Sequence, residues 1–245
     1  MTQFPATAAT FRWIFLAALI PAFAAVAILA LLVKEKAPAG EGKRRRTMAE
    51  TLRELGPRYR WYLLAAGVFS LGYFSFAFLI LKAKDSGFDP QQQTLLYGLF
   101  NLVFTAVSVP LGWLSDRIGR AKLVALSYVV YALMSAGFFF ANSGAAVIGL
   151  FVVYGLFYAL DEVQSKAFLS DLSTDETRAS AIGLYNFVTG LAYLPASLIA
   201  GALWTYSPGM PFLFAIGTSL VALALFVFAA RAAKASPSPL GRDPG

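Results

Sequence analysis

The stretch PLGWLSDRIGRAK, Pro110 to Lys122, gathers Asp116, Arg117, Arg120 and Lys122 between two long apolar runs. Such groups make and break ion pairs rather than covalent bonds. Gly119 suits a backbone that must reverse within a few residues, because glycine tolerates positive φ. Arg117, Arg120 and Lys122 follow a helix C-terminus, where cations are favoured. By the same dipole Asp116 is misplaced, unless it meets an arginine or the N-terminus of a neighbouring helix. Gly112 would let that neighbour come close. The expected partners are Asp161 and Glu162, with Asp171 and Arg178 as weaker candidates. Together they would form a latch of charges at one face of a membrane. Residue types alone also fit a turn bearing ordinary orienting charges.

Other chemistry is excluded by composition. The 245 residues include no Cys and no His, which removes disulfides, thiol chemistry, Cys/His zinc sites and imidazole catalysis. There is no nucleophile–base pair and no phosphate loop, so neither an enzyme, a cofactor nor a metal is expected. What remains is a set of polar groups inside apolar runs, where polarity is costly and often functional. They are Ser70, Tyr73 and Ser75, then Asn101 and Thr105, then Tyr154 and Tyr158, then Asn186, Thr189 and Tyr193. Tyr73, Asn101, Tyr158, Asn186 and Tyr193 are the candidates for a solute pathway. For each, helix packing or an interfacial position is the competing role.

The elements that position these groups are membrane helices. The chain is 58% hydrophobic and 13% charged, with mean hydropathy +0.66. A soluble domain carries roughly 25% charge. A spanning helix needs about 20 mostly apolar residues, and seven runs qualify. They are Trp13–Val33, Trp61–Leu81, Thr94–Leu114, Leu123–Ala141, Ala145–Ala159 with a polar extension, Ala179–Trp204 and Pro211–Ala230. The runs are continuous rather than alternating, so helices and not barrel strands are expected. No deep titratable group is expected. Asp161 and Glu162 fall beyond the fifth run and reach the midplane only if that span sits deeper.

Seventeen of the twenty Lys and Arg fall on one side of these spans. Nine lie in the linker 34–60 and eight run from Arg117 to Arg242, whereas Arg12, Lys82 and Lys84 fall on the other side. The positive-inside rule makes the richer side cytoplasmic. The expectation is a multi-pass protein of a plasma, bacterial-type inner membrane, N-terminus outside and C-terminus in the cytoplasm. The net charge of +7 comes from loop clusters, so nucleic acid is not an expected partner. Within the linker, TMAETLRELGPRYR reads as a short amphipathic helix with Met48, Leu52 and Leu55 on one face, lying on the anionic leaflet. The tail 232–245 reads as disordered.

The order Gly112-x-Leu114-Ser115-Asp116-Arg117-x-Gly119-Arg120-x-Lys122 closely resembles the signature cytoplasmic loop of the major facilitator superfamily. Ala121 stands where that family usually has a second basic residue. FRWIFLAALIPAFAAVAILALLV resembles the family's sixth helix, and the basic linker its central loop. SDLSTDETRASAIGLYNFVTGLAYLPASLIAGALW resembles its passage from helix ten into helix eleven. There Gly183, Gly190, Pro195 and Gly201 would supply close packing and a bend. The resemblance runs from about residue 11 to about residue 231. It implies a peripheral first helix at 1–33, a linker at 34–60, a six-helix C-terminal bundle at 61–231 and the tail.

It further implies secondary transport of a small solute by alternating access. The solute would be drug-like or amphipathic, given the apolar, aromatic wall of Phe69, Phe74, Phe76, Phe100 and Phe104. A separate N-terminal half would complete the pathway. Two alternatives stand beside this: a half-size transporter working as a homodimer of a second copy, and a membrane subunit or sensor that transports nothing. The expected partners are therefore the lipid bilayer, a small-molecule solute and one further half.

Overall fold

A computed structural model describes residues 8–32 and 48–235, all of whose regular structure is helical. The chain divides into two units, Met1–Arg45 and Arg46–Gly245. In the first lies α1 (Ala8–Leu32), which contains Pro21 and the apolar stretch Leu16–Ile28. Residues 33–47 of the linker and 236–245 of the expected disordered tail lie outside the described residues.

The second unit contains α2 (Met48–Glu54), α3 (Gly56–Gly72), α4 (Ala77–Asp85), α5 (Pro90–Ile118), α6 (Arg120–Phe140), α7 (Gly144–Asp171), α8 (Arg178–Tyr206) and α9 (Met210–Ala235). Six of its segments are long and apolar enough to cross a membrane, α3 and α4 together forming one of them. The expected tail is shortened, because α9 carries helix through to Ala235. The starts are written locally. Asp89 and Gln92 form a capping box ahead of α5, with Pro90 at its first turn, and Ser143 accepts from Ala146 N at 3.3 Å to open α7. Gly119 alone separates α5 from α6 and takes φ +91°, where a side chain would be strained.

One predicted span is not continuous. Between α3 and α4 the helix breaks at residues 73–76. A buried backbone opened in this way must find new partners. The Tyr131 hydroxyl donates to the Gly72 carbonyl at 3.0 Å, and the Phe74 N–H donates to the same oxygen at 3.1 Å. Gly72 also sets the approach of α3 to α9, since a Cβ there would lie 1.8 Å from Thr218 Oγ1 and 3.2 Å from Ala215 Cα.

Packing runs in the order α5–α7–α6–α9–α3–α8, and α8 also leans on α9. The ring is nearly open between α7 and α8, which touch only lightly. Its core is aromatic: Tyr59, Tyr62, Tyr131, Phe138, Phe151, Phe157 and Phe212 are fully buried. Lipid is as apolar as leucine, so such helices associate by close packing and interhelical hydrogen bonds rather than by escape from water. One such bond, from the Tyr59 hydroxyl to the Ala181 carbonyl at 2.8 Å, ties α3 to α8. The apolar window of α6 is 50% buried, but those of α5 and α8 are only 17% buried. The two flanking helices therefore turn most of their apolar surface outward.

The short helix α2 forms where the sequence predicts one. It packs on α3 and α8 with Thr51 and Leu55 buried and Leu52 half-buried. The Met48 side chain lies outside the described residues.

Candidate functional site

Two groups of residues stand out, one at the α5–α6 turn and one on the face where α7 and α8 part. At the turn, Arg120 Nη1 meets Asp171 Oδ1 at 2.6 Å and the Ala167 carbonyl at 3.1 Å, and its Nη2 lies 3.6 Å from Asp116. Arg120 thus binds the first turn of α6 to the last turns of α5 and α7. One step deeper, the Ser115 hydroxyl donates to Gln164 Oε1 at 2.7 Å, and Gln164 Nε2 donates to the Leu111 carbonyl at 3.4 Å. Gln164 is fully buried, and the two bonds clamp α5 to α7 beside the charges.

The acidic partners differ from those expected from sequence. Asp171 takes Arg120, while Glu162 pairs with Lys166 one turn along its own helix. Arg178 pairs with Asp175 at 2.7 Å. Among the described residues Asp161 makes no ion pair, and neither do Arg117 and Lys122, which are exposed. The physical reason is distance. The helix α7 does not end near Ala159 but continues to Asp171. Asp161 therefore lies roughly 15 Å, at 1.5 Å per residue, inside the end where Arg120 sits. It lines a cleft between α7 and α8, away from the Arg120 network.

The second group lines two adjoining clefts. One, about 170 Å³, lies between α7 and α8 and is walled by Asp161, Glu162, Ser165, Lys166, Tyr185, Asn186, Thr189 and Tyr193. The other, about 390 Å³, lies between α5, α7 and the helix break, and is walled by Phe76, Tyr97, Phe100, Asn101, Phe104, Tyr154, Tyr158 and Glu162. Glu162 borders both. Tyr73 joins this face from the break, 5.5 Å from the Tyr193 ring and stacked on Tyr131 at 5.5 Å. The structure thus brings Tyr73, Asn101, Tyr158, Asn186 and Tyr193 to one side of the bundle. Ser70 is instead buried, and Thr105 bonds back to the Asn101 carbonyl at 2.8 Å. The Asn101 amide is also used locally, donating to the Tyr97 carbonyl at 2.8 Å.

The glycines separate into two kinds. A Cβ on Gly112, Gly183, Gly190 or Gly201 would meet nothing within 4 Å, so these positions do not pack closely within the described chain. The close approach expected of them occurs elsewhere. At Gly155 a Cβ would lie 2.8 Å from Val103 Cβ and 2.9 Å from the Phe100 carbonyl, and this is what brings α5 and α7 together. Pro195 sits inside α8, which remains one helix from Arg178 to Tyr206.

Residues missed from sequence are Gln164, Ser115, Tyr131 and Gly155. In sequence Gln164 stands among Asp161, Glu162, Ser165 and Lys166, so it offers no distinct signal. The other three carry none before their partners are known.

The chain is similar to known membrane transport proteins. The family model for the Major Facilitator Superfamily matches residues 62–244. An uncharacterized MFS-type transporter of Methanocaldococcus jannaschii is 37% identical over 202 residues, 80% of this chain and 50% of that protein. The multidrug efflux pump LfrA of Mycolicibacterium smegmatis is 31% identical over 153 residues, covering 60% of this chain and 30% of the pump. The arabinose-proton symporter of Escherichia coli is 29% identical over 87 residues, 36% of this chain and 18% of the symporter. The chain spans half the length of the first of these relatives and less of the others.

Proposed function

The chain belongs to the Major Facilitator Superfamily, and on that premise we propose that its cleft face is one wall of a solute pathway. Membrane solute transport is what this family and the relatives support. The finer reading is secondary active transport by alternating access, with this chain acting as a C-terminal half. A second half, from another chain or a second copy, would cover the α5, α7 and α8 face. The observation that carries this reading is the grouping of Asn101, Tyr158, Asn186 and Tyr193 along two clefts flanked by the two least buried spans. The aromatic walls suit an amphipathic solute, and outward export is the direction that a drug-like solute would take. The Arg120 network would be the latch on the cytoplasmic side, in a bacterial-type inner membrane, with the N-terminus outside. The linker at 34–60 would tether the 1–33 helix to the 61–231 bundle.

The test exploits the absence of Cys. Single cysteines replace Tyr158 and Asn186 in the full chain, and a membrane-impermeant maleimide is applied to proteoliposomes. Leu198, a 76% exposed apolar residue of α8, provides the control. Cysteines at 158 and 186 should react through a water-filled path much faster than one at 198. Equal, slow labelling at all three sites would remove the pathway reading.

A further inference from the structure

Three titratable side chains, Asp161, Glu162 and Lys166, line the cleft between α7 and α8, and Glu162 also borders the second cleft. Lys166 is committed to Glu162. Asp161 is left with Ser165 as its polar neighbour and with no cation among the described residues. A half-buried carboxylate without a counter-charge is costly. Rings surround it. Tyr158 stands one turn before Asp161 and Glu162 on α7 and packs edge-on against Phe100 and Phe104, at 5.4 and 5.1 Å. Tyr193 faces Tyr73 across the other cleft. Behind Asp161 the Tyr62 hydroxyl is buried and lacks a hydrogen-bond partner. Its ring is stacked on Tyr185, a residue of the Asp161 cleft, at 5.7 Å. The wall of the α7–α8 cleft therefore carries a carboxylate with no cation paired to it among the described residues.

We propose that these clefts select an organic cation, with Asp161 as the countercharge and the tyrosine and phenylalanine rings as the seat. The proposal rests on the pathway reading above. The ring faces present negative potential, which attracts a soft, weakly hydrated cation. An inorganic cation needs several oxygen ligands. Among the described residues no group of three acidic, His or Cys side chains could supply them. An anion would meet Asp161 and Glu162, with Lys166 already paired to Glu162. A sugar-like solute would need many convergent hydrogen-bonding groups, and the Asn101 amide is already used within its helix. The Asp161 cleft, about 170 Å³, adjoins through Glu162 a second cleft of about 390 Å³, which is of the size that holds drug-sized ligands.

The experiment measures equilibrium binding of tetraphenylphosphonium and of tetraphenylborate, two ions of like shape and opposite charge, to the full chain in nanodiscs. Tetraphenylphosphonium should bind and tetraphenylborate should not. Asp161→Asn, nearly isosteric, should weaken the cation about tenfold or more. Lys166→Ala, which frees Glu162, should strengthen it. Arg117→Ala should leave it unchanged, and size-exclusion profiles verify folding. Equal binding of both ions, no binding of tetraphenylphosphonium, or an Asp161→Asn affinity within about twofold of the parent would overturn the proposal. Tyr158→Ala distinguishes the two levels. If it abolishes binding of both ions while Asp161→Asn changes nothing, the pathway survives and charge selection fails. If neither substitution alters binding, the pathway reading falls too.

Discussion

A side-chain carbon added at Gly155 would lie 2.8 Å from Val103 Cβ, whereas one added at Gly183, Gly190 or Gly201 would meet nothing within 4 Å. The first glycine belongs to the packed side of the bundle, where α7 meets α5. The other three belong to α8, whose apolar window is only 17% buried. The same residue type thus plays two parts. On α7 it removes a side chain so that another helix can touch the backbone. On α8 it leaves a smooth outward strip that nothing in this chain uses. Internal cohesion of the unit is concentrated in α3, α6, α7 and α9, and the α8 side is free to meet something else. That division also separates the two candidate sites: the Arg120 network is embedded in helix contacts, and the clefts lie where contacts stop.

The largest effect is expected from Gly155→Ala. Its Cβ would press on the Phe100 carbonyl at 2.9 Å, a backbone atom that cannot rotate away. Overpacking of this kind costs about 1–3 kcal/mol. Thermal unfolding in detergent should fall by several degrees, and an unchanged midpoint would dissolve the contrast between the two kinds of glycine.

Next is Gln164→Leu. It strands the buried Ser115 hydroxyl, which now donates at 2.7 Å. An unsatisfied buried polar group costs about 1–3 kcal/mol, reduced here because a helical serine can turn back to its own backbone. Adding Ser115→Ala should restore part of the loss. If the double variant is as unstable as the sum of the singles, the two side chains are not a unit.

Arg120→Ala should cost less, about 1 kcal/mol or below. Arg120 is 32% exposed and its acidic partners more so, and water screens such pairs. Arg117→Ala, at an exposed position with no ion pair among the described residues, should change the midpoint by no more than about 0.5 kcal/mol. Unfolding of the two variants side by side compares a built latch with an ordinary loop charge. Equal effects would reduce the Arg120 network to orientation charges.

How much of this was legible depended on whether the cause was local. The spans followed from uninterrupted apolar runs, and the Gly119 turn from a glycine set among charges. The break at residues 73–76 was hidden, because no proline marks it and three of its four residues, Tyr73, Phe74 and Phe76, are aromatic. What makes it tolerable is the Tyr131 hydroxyl, 59 positions away in sequence. The place of Asp161 in a cleft was hidden for the opposite reason. The polar residues after Ala159 look like the end of a span, yet they line a cleft while the other faces of α7 stay buried at Leu160, Gln164 and Leu169. Amphipathic extensions of a membrane helix read as loops until the neighbours that take their apolar side are known. The clefts were legible as a list of polar residues, not as two adjoining cavities sharing Glu162.

The smallest effect on the isolated chain is expected at Gly201, and it sharpens the comparison most. With open space around its Cα, Gly201→Ala has no steric penalty within the chain. Alanine is the better helix former, so the unfolding midpoint should stay the same or rise, by no more than about 1 kcal/mol. If α8 offers its smooth strip to the proposed second half, an added methyl would hold the two backbones apart there. Co-purification of the full chain with a separately expressed N-terminal half should then weaken, although the variant itself is no less stable. A variant that is stable and still binds the half fully would show that the strip faces lipid. The cover of the clefts would then have to be sought on α5, whose outward face carries Leu95, Leu102 and Trp113.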